Sequence, residues 1–285
     1  MTLKIRKPDI IRDEADLNWS PVPEFAHILN GASVVIPFVE HYLNAVMNDV
    51  RRNHCANHPA LAQELDLFIE QETMHTRLHR AFNKRMFDAG YDGLKAVTDR
   101  ATNDLQRMRR TRSLKFNVAY CAGFETTATF SAKYLLEQCD ALFRDGDAFG
   151  ANLLQWHVAE EFEHRTSCHR ALEAIGGGYW LRLVGFAYSF WHINILFGQA
   201  SNVIFGRYRA AMTPAQRRRS KRMVWKLKLR QLAHMLPGLI RLVTPGYDPA
   251  RITLTPRIAQ ALDFYAQKGP IAINFADLPR PARTA

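Results

Sequence analysis

The chain has 285 residues, 47% of them apolar and 23% charged, an ordinary globular composition that permits a large buried core. Its four cysteines lie far apart and form no C-x-x-C pair, which argues against a disulfide framework and favours reduced, buried thiols in a cytoplasmic protein. The net charge of +11 is concentrated between Arg217 and Arg230, and the charged N-terminus has no apolar segment, so neither a nucleic-acid-binding chain nor a secretory signal is indicated.

Apolar residues recur at helical spacing along almost the whole chain, whereas alternating β-branched runs are scarce, so the sequence predicts an all-α fold. Pro37 predicts a kink or break inside the first helix, and the glycines at 176–178 predict the end of the fifth. Thr213 and Pro214 are typical of a helix N-cap and first turn. In chain order, eight helices are expected at about residues 23–53, 59–90, 92–109, 111–139, 149–175, 180–211, 214–235 and 256–268.

The first part of the chain contains four long helices, with one shorter helix between the second and the third. Helices of this length suit a four-helix bundle, and the shorter helix lies where a crossover connection would run. We therefore expect residues 1–178 to form a ferritin-like, metal-binding bundle with a crossover helix. Residues 179–285 are expected to form a C-terminal helical extension that packs on the bundle within one structural unit.

Each long helix carries a glutamate in an apolar setting. The second and fourth also carry a histidine three residues after the glutamate, so that both side chains share one face of the helix. The order E, E-x-x-H, E, E-x-x-H is also the pattern of di-iron and di-manganese carboxylate proteins with a ferritin-like fold. The predicted metal ligands are Glu40, Glu72, His75, Glu125, Glu161 and His164.

Six such side chains facing inward suit two divalent ions, with iron as the first choice and manganese or zinc as alternatives. Without metal, four carboxylates buried together would have to take up protons. One E-x-x-H motif is a weak signal, because a solvated pair of this spacing is common. Two such motifs on separate helices, each preceded by a helix with a lone glutamate in an apolar run, are much harder to obtain by chance.

With these motifs the chain resembles a bacterial family of ferritin-like proteins described as predicted metal-dependent hydrolases. The resemblance covers about residues 20–250 and rests on the segments VEHYL, FIEQETMH, GFETTATF, EEFEHR and VTPGYDP. It implies a helical metal-binding fold that uses the six ligands named above, and it makes hydrolysis a candidate activity.

Two further histidines, His79 and His157, lie one helical turn from the E-x-x-H motifs, on the ligand faces of their helices. They are candidates to support the ligands, to bind metal themselves or to carry protons; a core histidine bonded to a neighbour is the alternative. Glu160 and Glu163 flank the second motif and are expected on the solvated side of the helix.

Residues 183–206 contain no Lys, Arg, Asp or Glu, although polar side chains interrupt the apolar run. We expect a helix that is buried against the bundle or lines a substrate channel; a transmembrane span and insertion into a membrane surface are the alternatives. The basic helix that follows suits an anionic membrane surface or an acidic partner, or else a solvated face. The predicted partners are a small-molecule substrate and an anionic membrane surface reached through residues 183–236, which allows a peripheral location at the inner face of the membrane.

Three functions fit these features. The first is a di-iron enzyme that uses O₂ to oxidise an apolar or amphipathic small molecule, because carboxylate-rich sites with two imidazoles hold iron in states that react with O₂. The second is a metal-dependent hydrolase with a dinuclear site, which ranks lower because such sites often use more Asp and His. The third is a non-enzymatic metal-binding protein, such as an iron store.

Overall fold

The computed structural model describes residues 3–10 and 16–282, and this part of the chain is mostly helical, which confirms the all-α prediction. Two short strands, Asp9–Ile10 and Pro270–Ile271, pair in parallel. The helices in chain order are α1 (Pro23–His54), α2 (Pro59–Asp88), α3 (Gly93–Thr111), α4 (Leu114–Gln138), α5 (Asp140–Phe143), α6 (Ala148–His164), α7 (Ser167–Ala174), α8 (Tyr179–Tyr208), α9 (Pro214–Leu242) and α10 (Pro256–Phe264).

Local sequence signals explain where most of these helices begin and end. A proline occupies the first turn of α1, α2, α9 and α10, where its missing N–H costs no helical hydrogen bond. Thr213 and Gln216 form a capping box at the start of α9, in which each side chain accepts a hydrogen bond from the other residue's backbone N–H. Gly90 and Gly176 follow α2 and α7 with positive φ, a conformation that glycine adopts without steric cost.

The structure corrects two of the predicted helices and the break expected at Pro37. The single helix expected at 149–175 is two helices, α6 and α7, separated by a turn at Arg165 and Thr166. The apolar period continues across this turn because both helices bury side chains in the same core. The prolines at 37 and 237 do not end α1 or α9, because each removes only one backbone hydrogen bond from a long helix that is anchored elsewhere.

The apolar helix α8 lies against the rest of the fold, as the primary interpretation of residues 183–206 predicts. The helices pack as the pairs α1–α2 and α4–α6, and α8 packs on both α1 and α4. Glycines make this approach close: a Cβ at Gly185 would overlap the carbonyl of Ala119 on α4, and a Cβ at Gly31 would overlap Ser201 on α8. Among residues 3–10 and 16–282, no helix combines the length and hydropathy needed to cross a membrane.

The last helix also packs onto the helices of the first part of the chain. α10 lies against α6, where the Tyr265 hydroxyl donates a hydrogen bond to Asn152 Oδ1 (2.9 Å). The neighbouring backbone N–H of Phe275 donates to the same oxygen (3.0 Å). α8, α9 and α10 therefore all contact helices of the first part of the chain, while the division into a bundle and an extension at residue 178 stays a prediction.

Candidate metal centre

The six predicted ligands come together in the interior from four different helices. None of the six predicted ligand residues is more than 2% exposed. The spacing of three residues places each histidine and its glutamate on the same face of α2 or α6. Glu40 is on α1, Glu72 and His75 are on α2, Glu125 is on α4, and Glu161 and His164 are on α6.

Seven side chains of this interior cluster form two groups of possible metal ligands. Within each group, one nitrogen or oxygen atom from every residue lies within 4.8 Å of the others. Bonds from a divalent ion such as zinc to nitrogen or oxygen are about 2.0–2.2 Å long, so one ion could reach all atoms of a group after small adjustments. The first group is Glu40, His75, His157 and Glu161, and the second is Glu72, Glu125 and His164.

One carboxylate from each group, Glu72 and Glu161, faces both His75 and His164. Glu72 Oε1 is 2.8 Å from His164 Nδ1, and its other oxygen is 3.6 Å from His75 Nδ1. Glu161 Oε1 is 3.8 Å from His75 Nδ1 and 3.9 Å from His164 Nδ1. A carboxylate that faces both imidazoles is placed to bridge two ions, so the two groups can act as one dinuclear centre.

The hydrogen bonds of the cluster also fit metal binding. Several buried ligand atoms have no hydrogen-bond partner within the described chain, an arrangement that is costly unless a cation or water satisfies them. The rings of His75 and His164 are each held by a hydrogen bond at Nε2. His75 Nε2 donates to Glu160 Oε2 (2.9 Å), and His164 Nε2 donates to Gln71 Oε1 (3.2 Å). Each Nδ1 is thus left to face the centre. The atoms that lack a well-aligned hydrogen bond are Glu40 Oε1, both oxygens of Glu72 and of Glu125, Glu161 Oε2, His75 Nδ1 and His164 Nδ1. Of these, Glu72 Oε1 and His164 Nδ1 form an ion pair at 2.8 Å.

The buried side chain of Arg6 links the groups that hold His75 and His164. Arg6 Nη1 donates to Glu160 Oε1 (3.2 Å) and to Glu163 Oε2 (2.7 Å), while Nη2 donates to Glu163 Oε1 (3.1 Å). Gln71 Nε2 also donates to Glu163 Oε2 (3.2 Å), which fixes the amide that accepts from His164. The expectation that Glu160 and Glu163 are solvated is wrong, because the N-terminal segment covers this side of α6 and supplies the opposite charge.

A second network fixes the orientation of His157. Asn83 Nδ2 donates to the backbone oxygen of Ser33 (2.6 Å), so its Oδ1 accepts the Ser33 hydroxyl proton (2.7 Å). Ser33 Oγ must then accept from His79 Nδ1 (2.8 Å), which leaves His79 Nε2 to accept from His157 Nδ1 (2.5 Å). His157 Nε2 therefore carries a lone pair, and it lies 2.8 Å from Glu161 Oε1 and 3.4 Å from Glu40 Oε1.

The structure gives different positions to His79 and His157, the two histidines that the sequence offers as extra ligands or as supports for the ligands. His157 reaches the ligand cluster directly, whereas His79 contacts it only through His157. Burial lowers the pKa of both groups, and neighbouring histidines lower it further, so both imidazoles are favoured in the neutral form that the hydrogen bonds require.

The electrostatics of the centre favour bound cations. Burial raises the pKa of Glu40 and of Glu125 well above the usual range, and nearby carboxylates add to the shift. Burial alone would also raise the pKa of Glu72, but His164 and His75 outweigh it and lower that pKa. The pKa values of His75 and His164 are in turn raised by carboxylates despite burial. Without cations, protons on these groups offset the negative charge, and divalent ions would replace them.

A pocket lined by His157 and Glu161 of the cluster also reaches exposed side chains. A cavity of about 340 Å³ lies between α1, α4, α6, α8 and α9, and most of its lining is aliphatic or aromatic. His157 and Glu161 are at its buried end, and the exposed side chains of Lys228 and Leu232 are at its outer end. A different cavity, of about 520 Å³ and lined in part by Tyr91, contains none of the predicted ligands.

Comparison with known proteins identifies the family. A family model described as "Predicted metal-dependent hydrolase" matches residues 4–253. The chain belongs to this family. No curated protein matches the chain, and no solved structure matches it. The matched region of the metal-dependent hydrolase family contains the whole candidate centre, while the ferritin-like form of the bundle stays an expectation.

The family description corrects the primary functional interpretation. O₂-dependent oxidation by a di-iron enzyme is wrong as the main expectation, because the family is described by metal-dependent hydrolysis, the second hypothesis. The physical reason is that carboxylate and imidazole donors suit redox-inactive divalent ions as well as iron, so the donor set does not select the reaction. His157 also gives the cluster a third imidazole, which weakens the argument from too few histidines.

Proposed function

We propose that this protein is a hydrolase that cleaves an ester bond in an amphipathic small molecule at a dinuclear metal centre. The proposed ligands are the six predicted residues together with His157. The observation that carries the proposal is the pocket, because its apolar walls end at His157 and Glu161 of the cluster. An apolar chain in this pocket would place its polar end, and the bond to be cleaved, beside the centre.

When bound, two divalent ions would supply Lewis acidity, which lowers the pKa of water and polarises the bond to be cleaved. The protein's own groups hold the centre in place. Glu72 and Glu161 face both imidazoles, and Thr76 Oγ1 orients Glu40 by donating to Glu40 Oε2 (2.9 Å). His79 Nε2 accepts a hydrogen bond from His157 Nδ1, which keeps His157 Nε2 directed into the cluster.

The pocket wall sets the expected substrate preference. Phe124, Ile193 and Phe197 give it an apolar lining that would bind an alkyl or aryl group and exclude water. Asn194 and Gln231 supply a few polar atoms towards the outer end. We therefore expect hydrolysis to become more efficient as the apolar part of the substrate grows, until the pocket is full.

The test is metal-dependent hydrolysis of p-nitrophenyl esters whose acyl chains range from acetyl to lauroyl. Metal-free protein would be reloaded with Zn²⁺, Mn²⁺ or Fe²⁺, and kcat/KM measured for each ester. We expect metal-dependent activity that rises with chain length. Activity that does not depend on metal, or no release of p-nitrophenol with any of the three ions, would contradict the proposal.

A variant that fills the pocket separates substrate binding from metal binding. Ala128→Phe adds a ring to the pocket wall, so kcat/KM for the long ester should fall on the order of tenfold or more, while metal content stays the same. Ala60→Phe, on the exposed first turn of α2, is the matched control and should leave both quantities unchanged. If kcat/KM of the Ala128→Phe variant equals that of the wild type for every ester, the substrate does not use this pocket.

A further inference from the structure

The positive charge of the protein belongs to one continuous part of the chain. Residues 174–247 contain 12 of the 38 Lys and Arg residues and none of the 27 Asp and Glu residues. The remaining chain therefore carries 26 basic and 27 acidic residues and is almost balanced. The unbalanced stretch includes the whole of α8 and α9.

α9 exposes an apolar stripe along its length. Trp225, Leu229, Leu232, Leu236 and Ile240 are spaced by three or four residues, and each is between 46% and 66% exposed. This spacing keeps all five on one face of the helix. Large apolar side chains that share an exposed face in this way usually mark an interaction surface.

Basic side chains continue and flank the same stripe. Arg222 and Arg218 extend it towards the start of α9 with the same spacing, and Lys226 and Lys228 lie beside it. All four are exposed, and within the part of the chain that the structure describes none forms an ion pair with a carboxylate. α9 thus presents an apolar line with uncompensated positive charge around it.

α8 also exposes large apolar side chains along one of its faces. Trp180, Val184 and Trp191 are 75%, 52% and 56% exposed, again at helical spacing. The two helices meet where Arg182 Nη1 donates to the Leu242 carbonyl (2.8 Å) and where Arg209 Nε donates to Ser220 Oγ (3.0 Å). Between these two contacts, α8 and α9 line the outer end of the pocket.

We propose that the exposed face of α8 and α9 docks on an anionic membrane surface, with the pocket mouth opening towards the lipid. Positive side chains match anionic headgroups, and the Trp and Leu side chains would enter the boundary between headgroups and acyl chains. Three of the five tryptophans are exposed, and all three, at positions 180, 191 and 225, are on these two helices. Tryptophan is the side chain that favours this boundary.

Charge and hydropathy favour a lipid surface over the other occupants. A second copy of the chain on the same face would bring two basic surfaces together, and like charges in contact oppose association. A nucleic acid would match the charge but would leave the apolar stripe of α9 in water. An anionic bilayer satisfies both features of the face. Entry of a lipid-borne substrate into the pocket rests in addition on the proposed function.

The test is flotation of the full-length protein with vesicles of phosphatidylcholine alone or of phosphatidylcholine with phosphatidylglycerol, together with tryptophan fluorescence. We expect flotation with the anionic vesicles only, and a blue shift as Trp180, Trp191 and Trp225 leave water. Trp19 and Trp156 are fully buried and should contribute no change. Because neither readout needs metal or substrate, failure here is distinct from failure of the proposed hydrolysis.

Two sets of variants separate the apolar and electrostatic contributions. Trp225→Ser combined with Leu229→Ser and Leu236→Ser should abolish flotation, whereas the exposed apolar controls Ile273→Ser and Phe87→Ser should not.

Arg218→Gln with Arg222→Gln should lower the partition coefficient on the order of tenfold or more. The exposed controls Arg52→Gln and Arg110→Gln should leave it within about twofold, because they are on α1 and α3 and not on α8 or α9. No binding by the wild type, or equal binding by the α9 variants, would overturn the proposal. Concentration-dependent dimers that the apolar triple variant abolishes, without any vesicle binding, would assign the face to a second copy.

Discussion

His75 Nε2 lies 2.9 Å from Glu160 Oε2, so a buried carboxylate outside the cluster sets the orientation of an imidazole inside it. Glu160 is itself held by Arg6, which also binds Glu163 through both of its terminal nitrogens. The N-terminal segment, far from the helices in sequence, thereby reaches the centre through two carboxylates. This relationship makes the precision of the candidate metal site depend on a residue that is not one of its ligands.

Replacing Arg6 should weaken both metal binding and stability. Arg6→Met leaves Glu160 and Glu163 buried without their positive partner, which should lower the free energy of unfolding by about 3–5 kcal/mol. Loss of orientation at His75 and His164 should weaken metal affinity about 10- to 100-fold. Denaturant titration and competition with a chelator would measure the two effects.

Arg51→Met is the control for this change, because Arg51 also binds a carboxylate, Asp66, through two nitrogens but on the surface. It should change the free energy of unfolding far less than Arg6→Met does, and it should leave metal affinity unchanged. Arg6→Lys, which keeps the charge but cannot reproduce all the contacts, should be intermediate. Unchanged metal affinity in Arg6→Met would show that the network does not position the imidazoles.

The close contact of α8 with α4 predicts opposite effects of one substitution at two glycines of α8. Gly185→Ala forces a methyl group against the Ala119 carbonyl, so it should destabilise the fold by about 1–3 kcal/mol. Gly206→Ala meets no atom within 4 Å and should stabilise the helix by about 0.5–1 kcal/mol. Chemical denaturation of both variants checks this, and a neutral Gly185→Ala would mean that α8 does not pack as described.

Acid stability should depend on His27, which is buried against the rings of Phe205 and Tyr208. Burial lowers the pKa of His27 to about 4, whereas the unfolded chain protonates near pH 6.5. Below about pH 6.5 protons therefore bind preferentially to the unfolded chain, and the stability falls as the pH is lowered to about 4. The loss should be about 3 kcal/mol for this one group.

Unfolding free energies of the wild type and His27→Phe, measured between pH 7 and pH 4, would test this effect. The variant should lose less stability over that range, because it has no imidazole to protonate. His54→Phe removes a histidine whose side chain is exposed and should follow the wild type. Parallel curves for all three proteins would show that His27 does not contribute.

The sequence predicts the fold class and the positions of the candidate ligands because both follow from helical periodicity. The spacing of Glu72 and His75, repeated at Glu161 and His164, is enough to place side chains on shared faces, and the structure brings them together. The break after His164 is not predicted, because the apolar pattern continues across the turn. The spacing of apolar residues cannot reveal such a break when the helices before and after it bury their apolar residues in the same core.

The surroundings of the centre depend on contacts between distant segments and could not be predicted in this way. Arg6 contacts residues about 155 positions later, and nothing near Glu160 or Glu163 in the sequence signals a buried cation. The position of His157 among the ligands depends on a chain of hydrogen bonds through His79 and Ser33. Only the packing of α1, α2 and α6 together fixes the direction of these bonds.

The metal content of purified protein and of single-site variants tests the central claim most directly. Two ions per chain are expected in the wild type. Glu72→Ala, which removes one of the two carboxylates that face both imidazoles, should lose both ions, and His164→Ala should lose at least the ion of the second group. Glu173→Ala, which removes an exposed carboxylate on α7 that pairs with His169, should retain two. Absence of bound metal in the wild type, or two ions per chain in Glu72→Ala and His164→Ala, would contradict the dinuclear centre.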